Sequence, residues 1–449
     1  MGITVVQKSD LSRTKRNPKI SLVLAGGAVT GGAFKIGGLH ALDTFLVNRK
    51  IVDFDTFIGL SAGSIIASLL ANGVSPQEML RNVEGENSRF QSVRPLDVYS
   101  PNFEEFFLNP LRFVRDVLAF LPDFLMAVAV STSLLHRDVR GSLLALLRRP
   151  NLRNLNKLVG QYGRVFDLTR GFPSPSHYLP RGVFSNSRLE KALERNLSRN
   201  RLSNDFVELY RKTGKELYIV AANLDTAERV VFGYNQNNNL SISQAVQAST
   251  ALPGFYRPAR LKGVDYVDGA VRKTANIDVA VETGADLIVC YNPFRPFYNQ
   301  VVSRYSREEG HHSVEGKYIS DQGVISVLNQ VFRILLHTRL QYGMDLYRRD
   351  PRFQGDIILI EPAEYDYQFF GMNPLSFWDR QQAAQKGYES VRESIERKFP
   401  ILKRILNAYG IDVGRPSDAE ETASEASEER ARPVYSTGGR KRGFLRVVG

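Results

Sequence analysis

Short apolar runs recur along the chain, each closed by a glycine-rich or polar turn and followed by a stretch with helical spacing. Ile20–Leu24 reads as a buried strand that runs into a glycine-rich turn and then a helix through Leu39. Phe54-Asp55-Thr56-Phe57-Ile58 alternates and predicts a short strand, and Ile65–Gly73 predicts a helix closed by a glycine C-cap. The pattern resumes at about 182–295. There Val183–Glu190 contains a capped helix start, and Leu217–Ala222 and Leu287–Tyr291 predict central strands. Asp356–Ile360 predicts a further strand between amphipathic helices over 321–349 and 375–408. Strands alternating with helices predict an α/β architecture with a mostly parallel central sheet.

One region breaks the alternation. Residues 93–180 are rich in phenylalanine, carry the apolar run Val117–Val130, and continue into basic sequence at Arg137, Arg140, Arg148, Arg149, Arg153, Lys157, Arg164 and Arg170. A membrane-spanning helix needs about 20 apolar residues. Pro122 and Asp123 interrupt this run, and Arg112, Arg115 and Asp116 flank it. The expectation is a helical insertion, either a buried subdomain or a membrane-facing cap. The remaining organisation is a polar N-terminal arm over 1–18, a catalytic domain over 19–412 with a C-terminal helical part from about 321, and a tail over 413–449. Residues 296–320 read as a polar loop. The tail is Ser-, Glu- and Arg-rich with few large apolar groups, so it cannot bury enough surface to order itself.

Charge and cysteine content narrow the partners. The 449 residues carry 59 Lys and Arg against 47 Asp and Glu, a formal charge of +12. Such an excess draws a protein to anionic surfaces. No zinc-ligand spacing, RRM signature or basic zipper is present, so an anionic membrane surface is the expected contact and nucleic acid is not. Cys290 is the single cysteine and lies in an apolar run, as a buried strand residue would. No intramolecular disulfide can form, and no apolar leader precedes residue 20. A reducing, cytoplasmic setting with peripheral membrane association is expected.

Three segments carry candidate chemistry. Gly59-Leu60-Ser61-Ala62-Gly63 places a serine between a strand and a helix, flanked by glycines that permit a sharp turn. A hydroxyl held there lies near a helix N-terminus, where amides favour a developing anion. The turn from Gly26 to Gly32 exposes successive backbone amides able to bind a phosphate or an oxyanion. Its spacing matches neither the dinucleotide nor the P-loop fingerprint. Asp268, followed by Gly269 and Ala270, ends a short strand, where a carboxylate can point across the carboxyl ends of a sheet. A serine hydroxyl needs a base to become a nucleophile, and partial desolvation raises the basicity of an aspartate.

Taken in this order, Gly26–Leu39, Gly59–Ser64 and Ala248–Ala270 resemble the patatin-like phospholipase family, with a weaker echo at Ala221–Phe232, so that the likeness spans roughly 19–300. The resemblance implies a three-layer α/β/α fold and a Ser–Asp dyad without histidine. Ser61 would be the nucleophile and Asp268 the base. The amides around Gly26, Gly27 and Ala28 would form the oxyanion hole, Gly59 and Gly63 the elbow, and Gly269 and Ala270 the neighbours of the acid. The implied activity is hydrolysis of fatty acyl esters of membrane lipids through an acyl-enzyme, with a lipid substrate and no cofactor or metal. The sequence departs from the family at Thr30, where many members carry Arg or Lys. Three alternatives remain open: a catalytically silent lipid-binding protein on the same scaffold, a nucleotide-binding protein using Gly26–Gly32, and a Ser–His–Asp hydrolase using His311 or His312.

Overall fold

The computed structural model describes residues 2–86, 89–134, 137–149, 151, 153–154, 174–306 and 311–415. In chain order the strands are β1 (Ile3–Val6), β2 (Ile20–Leu24), β3 (Thr56–Leu60), β4 (Ser100–Pro101), β5 (Gly182–Ser185), β6 (Glu216–Asn223) and β7 (Arg229–Gly233). They continue as β8 (Gly254–Tyr256), β9 (Ala259–Leu261), β10 (Val264–Asp268), β11 (Leu287–Tyr291), β12 (Val302–Ser306), β13 (His311–Glu315) and β14 (Asp356–Ile360). The central sheet runs β1-β14-β11-β2-β3-β6-β10-β9, with β7 also paired to β6. Its middle, β14-β11-β2-β3-β6, is parallel, and antiparallel strands finish both edges.

The five-residue parallel strands are buried throughout, so each side chain meets a helical layer on one face or the other. Ile20, Leu22, Leu24, Phe57, Leu217, Ile219, Leu287 and Val289 face one core. Val23, Ile58, Leu60, Tyr218, Val220, Ile288, Cys290, Ile357 and Leu359 face the other. The first core packs under helices α1 (Ala28–Phe45) and α2 (Ala62–Ala71) and under the long closing helix Arg380–Ala408. The second packs under Ile277–Glu282 and the far half of the helix Val324–Arg349, through Leu340 and Met344. The period-2 split of the strands across two cores produces the α/β/α layering.

Helix α1 and the closing helix touch through glycine. A Cβ on Gly37 would lie 1.8 Å from the Ala384 carbonyl oxygen, and one on Gly387 would lie 1.9 Å from that of Phe34. The two backbones therefore meet without an intervening side chain.

The structure departs from the sequence reading in several places. Ile3–Val6, expected within a polar arm, is an edge strand antiparallel to β14; its short apolar stretch is masked by the charged residues that follow. The stretch 296–320 contains the hairpin β12–β13 rather than loop alone. Among the described residues the insertion is largely helical, as expected, and Phe103–Leu134 is one helix that contains both Pro110 and Pro122. A second helix, Arg137–Arg148, follows. Lys157, Arg164, Arg170 and the tail from residue 416 lie outside the described residues. Among the described residues no helix is long and apolar enough to cross a membrane. Cys290 is buried in β11, as expected, and burial pushes its thiol pKa upward.

Candidate active site

Ser61 occupies the single residue between β3 and α2. Its backbone sits at φ 53°, ψ −130°, a conformation that strains any residue with a Cβ. Two flanking positions make room for that turn. A Cβ on Gly59 would fall 2.4 Å from the Ser64 Cα, and one on Gly63 would fall 2.5 Å from the Leu24 carbonyl oxygen. The turn is pinned from behind. The Ser61 amide donates to Ser249 Oγ at 2.9 Å, and Ser249 Oγ donates to the Val220 carbonyl at 2.6 Å. Ser64 Oγ donates to the Ser61 carbonyl at 2.6 Å.

Asp268 reaches Ser61 because of sheet register. Leu60 of β3 pairs with Val220 of β6, and Asp268 of β10 pairs with Ala221 of the same strand. Ser61 and Asp268 thus stand level on either side of β6. The Asp268 carboxylate lies close enough to the Ser61 hydroxyl for that group to lower its pKa, and its Oδ1 accepts from the Ala270 amide at 2.9 Å. The Asp268 amide donates to the Ala251 carbonyl at 2.9 Å. Gly269 lets the chain leave tightly, since a Cβ there would lie 2.7 Å from Leu60 Cδ1. Asp268 is 1% exposed. Burial lifts its pKa to about 6, while the Ser61 hydroxyl, the Ala270 amide and the charge of Lys35 oppose the lift. A carboxylate in this state is a far better proton acceptor than one in water.

The glycine-rich turn closes over the pair. β2 ends at Leu24, which pairs with Gly59, so the turn emerges beside Ser61. A Cβ on Gly26 would sit 3.4 Å from Ser61 Cβ. Ala28 opens α1 with φ 50°. The amides of Val29 and Thr30 both donate to the Pro374 carbonyl, at 3.0 and 3.1 Å. Among the described residues, the amides of Gly26, Gly27 and Ala28 meet no such acceptor. Three free amides beside a serine hydroxyl can hold an oxyanion.

A cavity of about 240 Å³ opens from Ser61 and is walled mainly by apolar side chains. Ala62, Ile65, Ile66 and Leu69 line it from α2, which carries it roughly 10 Å along the helix axis at 1.5 Å per residue. Val29, Ala33 and Ile36 line it from α1, with Met79, Phe90 and Phe377 opposite. An apolar wall of this kind can accept a hydrocarbon chain.

Sequence reasoning brought Ser61, Asp268 and the Gly26–Ala28 turn to one place. It named Ser249 within a segment but gave it no role, and it passed over Lys35. Lys35 is fully buried, and its ammonium donates to the carbonyls of Ala25 and Gly26. Ser249 carries no local signal; for Lys35 the signal was a lone cation inside a run of glycine and apolar residues.

Four histidines of the described residues belong to other elements. His311 and His312 belong to β13 in the separate hairpin, His337 pairs with Glu361 at 3.0 Å, and His40 packs on Tyr388. Among the described residues no group of His, Cys, Asp and Glu could hold a metal ion.

A family profile, that of the patatin-like phospholipases, matches residues 22–281. A protein of Invertebrate iridescent virus 6 named probable lipid hydrolase 463L is 25% identical over 264 residues. The match takes in 58% of this chain but 63% of the viral protein, under two thirds of its length. VipD from Legionella pneumophila is 16% identical, with a TM-score of 0.36 over 88% of this chain and 70% of that one. ExoU of Pseudomonas aeruginosa, solved with SpcU, is 16% identical, with a TM-score of 0.30 over 96% and 62%. Human GIVD cytosolic phospholipase A2, solved with a methyl γ-linolenyl fluorophosphonate, is 11% identical, with a TM-score of 0.38 over 89% and 61%.

Proposed function

We propose that this chain, which belongs to the patatin-like phospholipase family, hydrolyses fatty acyl esters of membrane lipids through Ser61 and Asp268. The observation that carries the reading is a serine held at a strained strand–helix turn beside a buried carboxylate, at the mouth of an apolar cavity. With an acyl chain in the cavity, the ester carbonyl lies against Ser61. Asp268 takes the hydroxyl proton as Ser61 Oγ attacks, and the carbonyl oxygen becomes an oxyanion. The amides of Gly26, Gly27 and Ala28 face that charge. Collapse expels the alcohol, which receives the proton from Asp268, and leaves an acyl-serine. Water, deprotonated by Asp268, then attacks the acyl-serine; collapse breaks the bond to Ser61 Oγ, which takes the proton back from Asp268, and the fatty acid is released. The likeness to a viral protein named as a probable lipid hydrolase supports the same substrate class.

Membrane contact belongs to the proposal. On the helix Phe103–Leu134, Phe103, Phe107, Leu111, Val114 and Leu118 are exposed at three- and four-residue spacing, an apolar stripe along one face. The chain's excess of 59 Lys and Arg over 47 Asp and Glu favours anionic bilayers. Each such charge near the surface contributes about 1 kcal/mol, screened by salt.

The test is labelling with a fluorophosphonate probe, followed by a panel of phospholipid, glycolipid and triacylglycerol esters read by mass spectrometry. The wild type should label and release fatty acid, and Ser61→Ala should do neither. A wild type that neither labels nor hydrolyses any ester would make the chain a silent lipid-binding protein. Labelling that persists in Ser61→Ala would place the nucleophile elsewhere.

A further inference from the structure

Lys35 stands out among the buried polar groups. It lies on α1 with no exposure, and its ammonium donates to two backbone carbonyls, those of Ala25 and Gly26, the latter at 3.0 Å. Among the described residues no carboxylate lies within ion-pair distance of it. Burying an unpaired ammonium is expensive, and the cost shows as a pKa drawn down to about 7. The opposing influence is the charge of Asp268, with Cys290 adding less. Thr30, where many family members carry a basic residue, is itself buried and bonded toward the Pro374 carbonyl at 3.4 Å. The turn therefore has no cation at that position, and it has one underneath.

The geometry of a peptide plane gives the contact its meaning. In a trans peptide the carbonyl of one residue and the amide of the next point in opposite directions. The carbonyls that Lys35 grips belong to the planes whose far sides carry the amides of Gly26 and Gly27. Gly26 packs on Ser61, so a grip on the back of these planes orients their front toward the serine.

We propose that Lys35 is a positioning residue: it holds the glycine-rich turn by its carbonyls so that the Gly26 and Gly27 amides face the oxyanion, and its charge favours ionised Asp268. The proposal rests on the reading of Ser61 and Asp268 as the reacting pair. The titratable groups that bear on Lys35 are Asp268 at the end of β10 and Cys290 on β11, with Glu361, paired to His337, acting on Cys290 from behind. Tyr291 packs against the same helix, its hydroxyl donating to the Phe34 carbonyl at 3.4 Å.

The experiment compares wild type, Lys35→Met, Lys35→Gln and Ser61→Ala. It reads kcat and KM on a short soluble ester, the pH dependence of fluorophosphonate labelling, and melting temperature. Methionine keeps length and loses both donor and charge; glutamine keeps a donor and loses the charge. Lys35→Met should melt cooperatively and lose about 10–100-fold in kcat with KM within about twofold, somewhat less than the loss of an oxyanion donor itself. Its labelling should switch on at higher pH than in wild type, because removing a nearby positive charge raises the pKa of Asp268. Lys35→Gln should recover part of kcat while keeping that displaced onset. Wild-type kcat and onset in both variants would overturn the proposal, and so would loss of cooperative melting in both, which would assign Lys35 to folding alone. Activity surviving in Ser61→Ala would instead defeat the underlying reading, so the two failures are told apart.

Discussion

Helix α1 and the helix Phe103–Leu134 are both rich in apolar residues, and they serve opposite ends. In α1 the small residues Gly31, Gly32, Ala33, Gly37 and Gly38 are buried with Phe34 and Leu39, and even its lysine is enclosed. In Phe103–Leu134 the large residues Phe103, Phe107, Leu111 and Leu118 stand in solvent. Small side chains let other backbones come close, as they do at Gly37 and Gly387. Large ones on this face leave apolar area in solvent among the described residues. Apolar content alone does not tell a wall from a docking surface; residue size and what packs against it do.

The comparison breaks or sharpens under mutation, and the largest effects belong at the site. Ser61→Ala should fold and lose at least about a thousandfold in kcat/KM on a soluble ester. Asp268→Asn should lose nearly as much, since asparagine keeps the shape but accepts no proton. His311→Ala and His312→Ala should stay close to wild type; a dead histidine variant beside an active Asp268→Asn would replace the dyad by a triad.

Next comes stability. Gly37→Leu should destabilise by roughly 3 kcal/mol or more, or fail to fold, because its side chain would enter the Ala384 backbone. By contrast, the triple change Phe107→Ser, Leu111→Ser and Leu118→Ser should leave the denaturation midpoint unchanged and hydrolysis of a soluble ester intact. It should weaken co-sedimentation with anionic liposomes about tenfold. If the triple variant also melts early and loses both activities, that face is core and the contrast with α1 disappears.

A titration gives a smaller, graded effect. In the proposed mechanism Asp268 acts as the ionised base, and burial lifts its pKa to about 6. The rate kcat/KM should therefore be flat above that value and fall about tenfold for each pH unit below it. A profile flat down to pH 4 would mean that a different base works.

The smallest effect concerns the cavity. Leu69→Phe narrows its far end, which should cost long-chain esters several-fold while sparing short ones, since each buried methylene contributes about 0.8 kcal/mol. Equal losses across chain lengths would place the acyl chain elsewhere.

Much of the site was legible because its parts are local. The glycines around Ser61, the turn at Gly26 and the strand end at Asp268 each advertise backbone geometry within a few residues. What was not legible depends on distant pairings. Ser249 matters because it meets the Ser61 amide from 188 positions away, and no pattern in Ala248–Phe255 encodes that. Lys35 was passed over because lysine is almost never fully enclosed. In the fold, most parallel strands announced themselves as apolar runs and β3 by its alternation, whereas β1 was too short to rise above its charged neighbours. The exposed apolar face of Val324–Arg349, with Ile325, Leu328, Phe332 and Leu335 outward, was read as an amphipathic helix but not as one whose apolar side is partly uncovered.

The glycine contact between α1 and the closing helix has a consequence in time. Gly37 and Gly387 are about 350 residues apart, and a ribosome adds about 5–20 residues per second. For roughly 20–70 s after α1 is made, the helix that carries the turn has no closing partner to lie against. Ser61 is synthesised well before the closing helix, so the proposed site would stay unassembled until that helix has been made. An arrested chain ending before Arg380 should accordingly take up no fluorophosphonate, while one released after Ala408 should label.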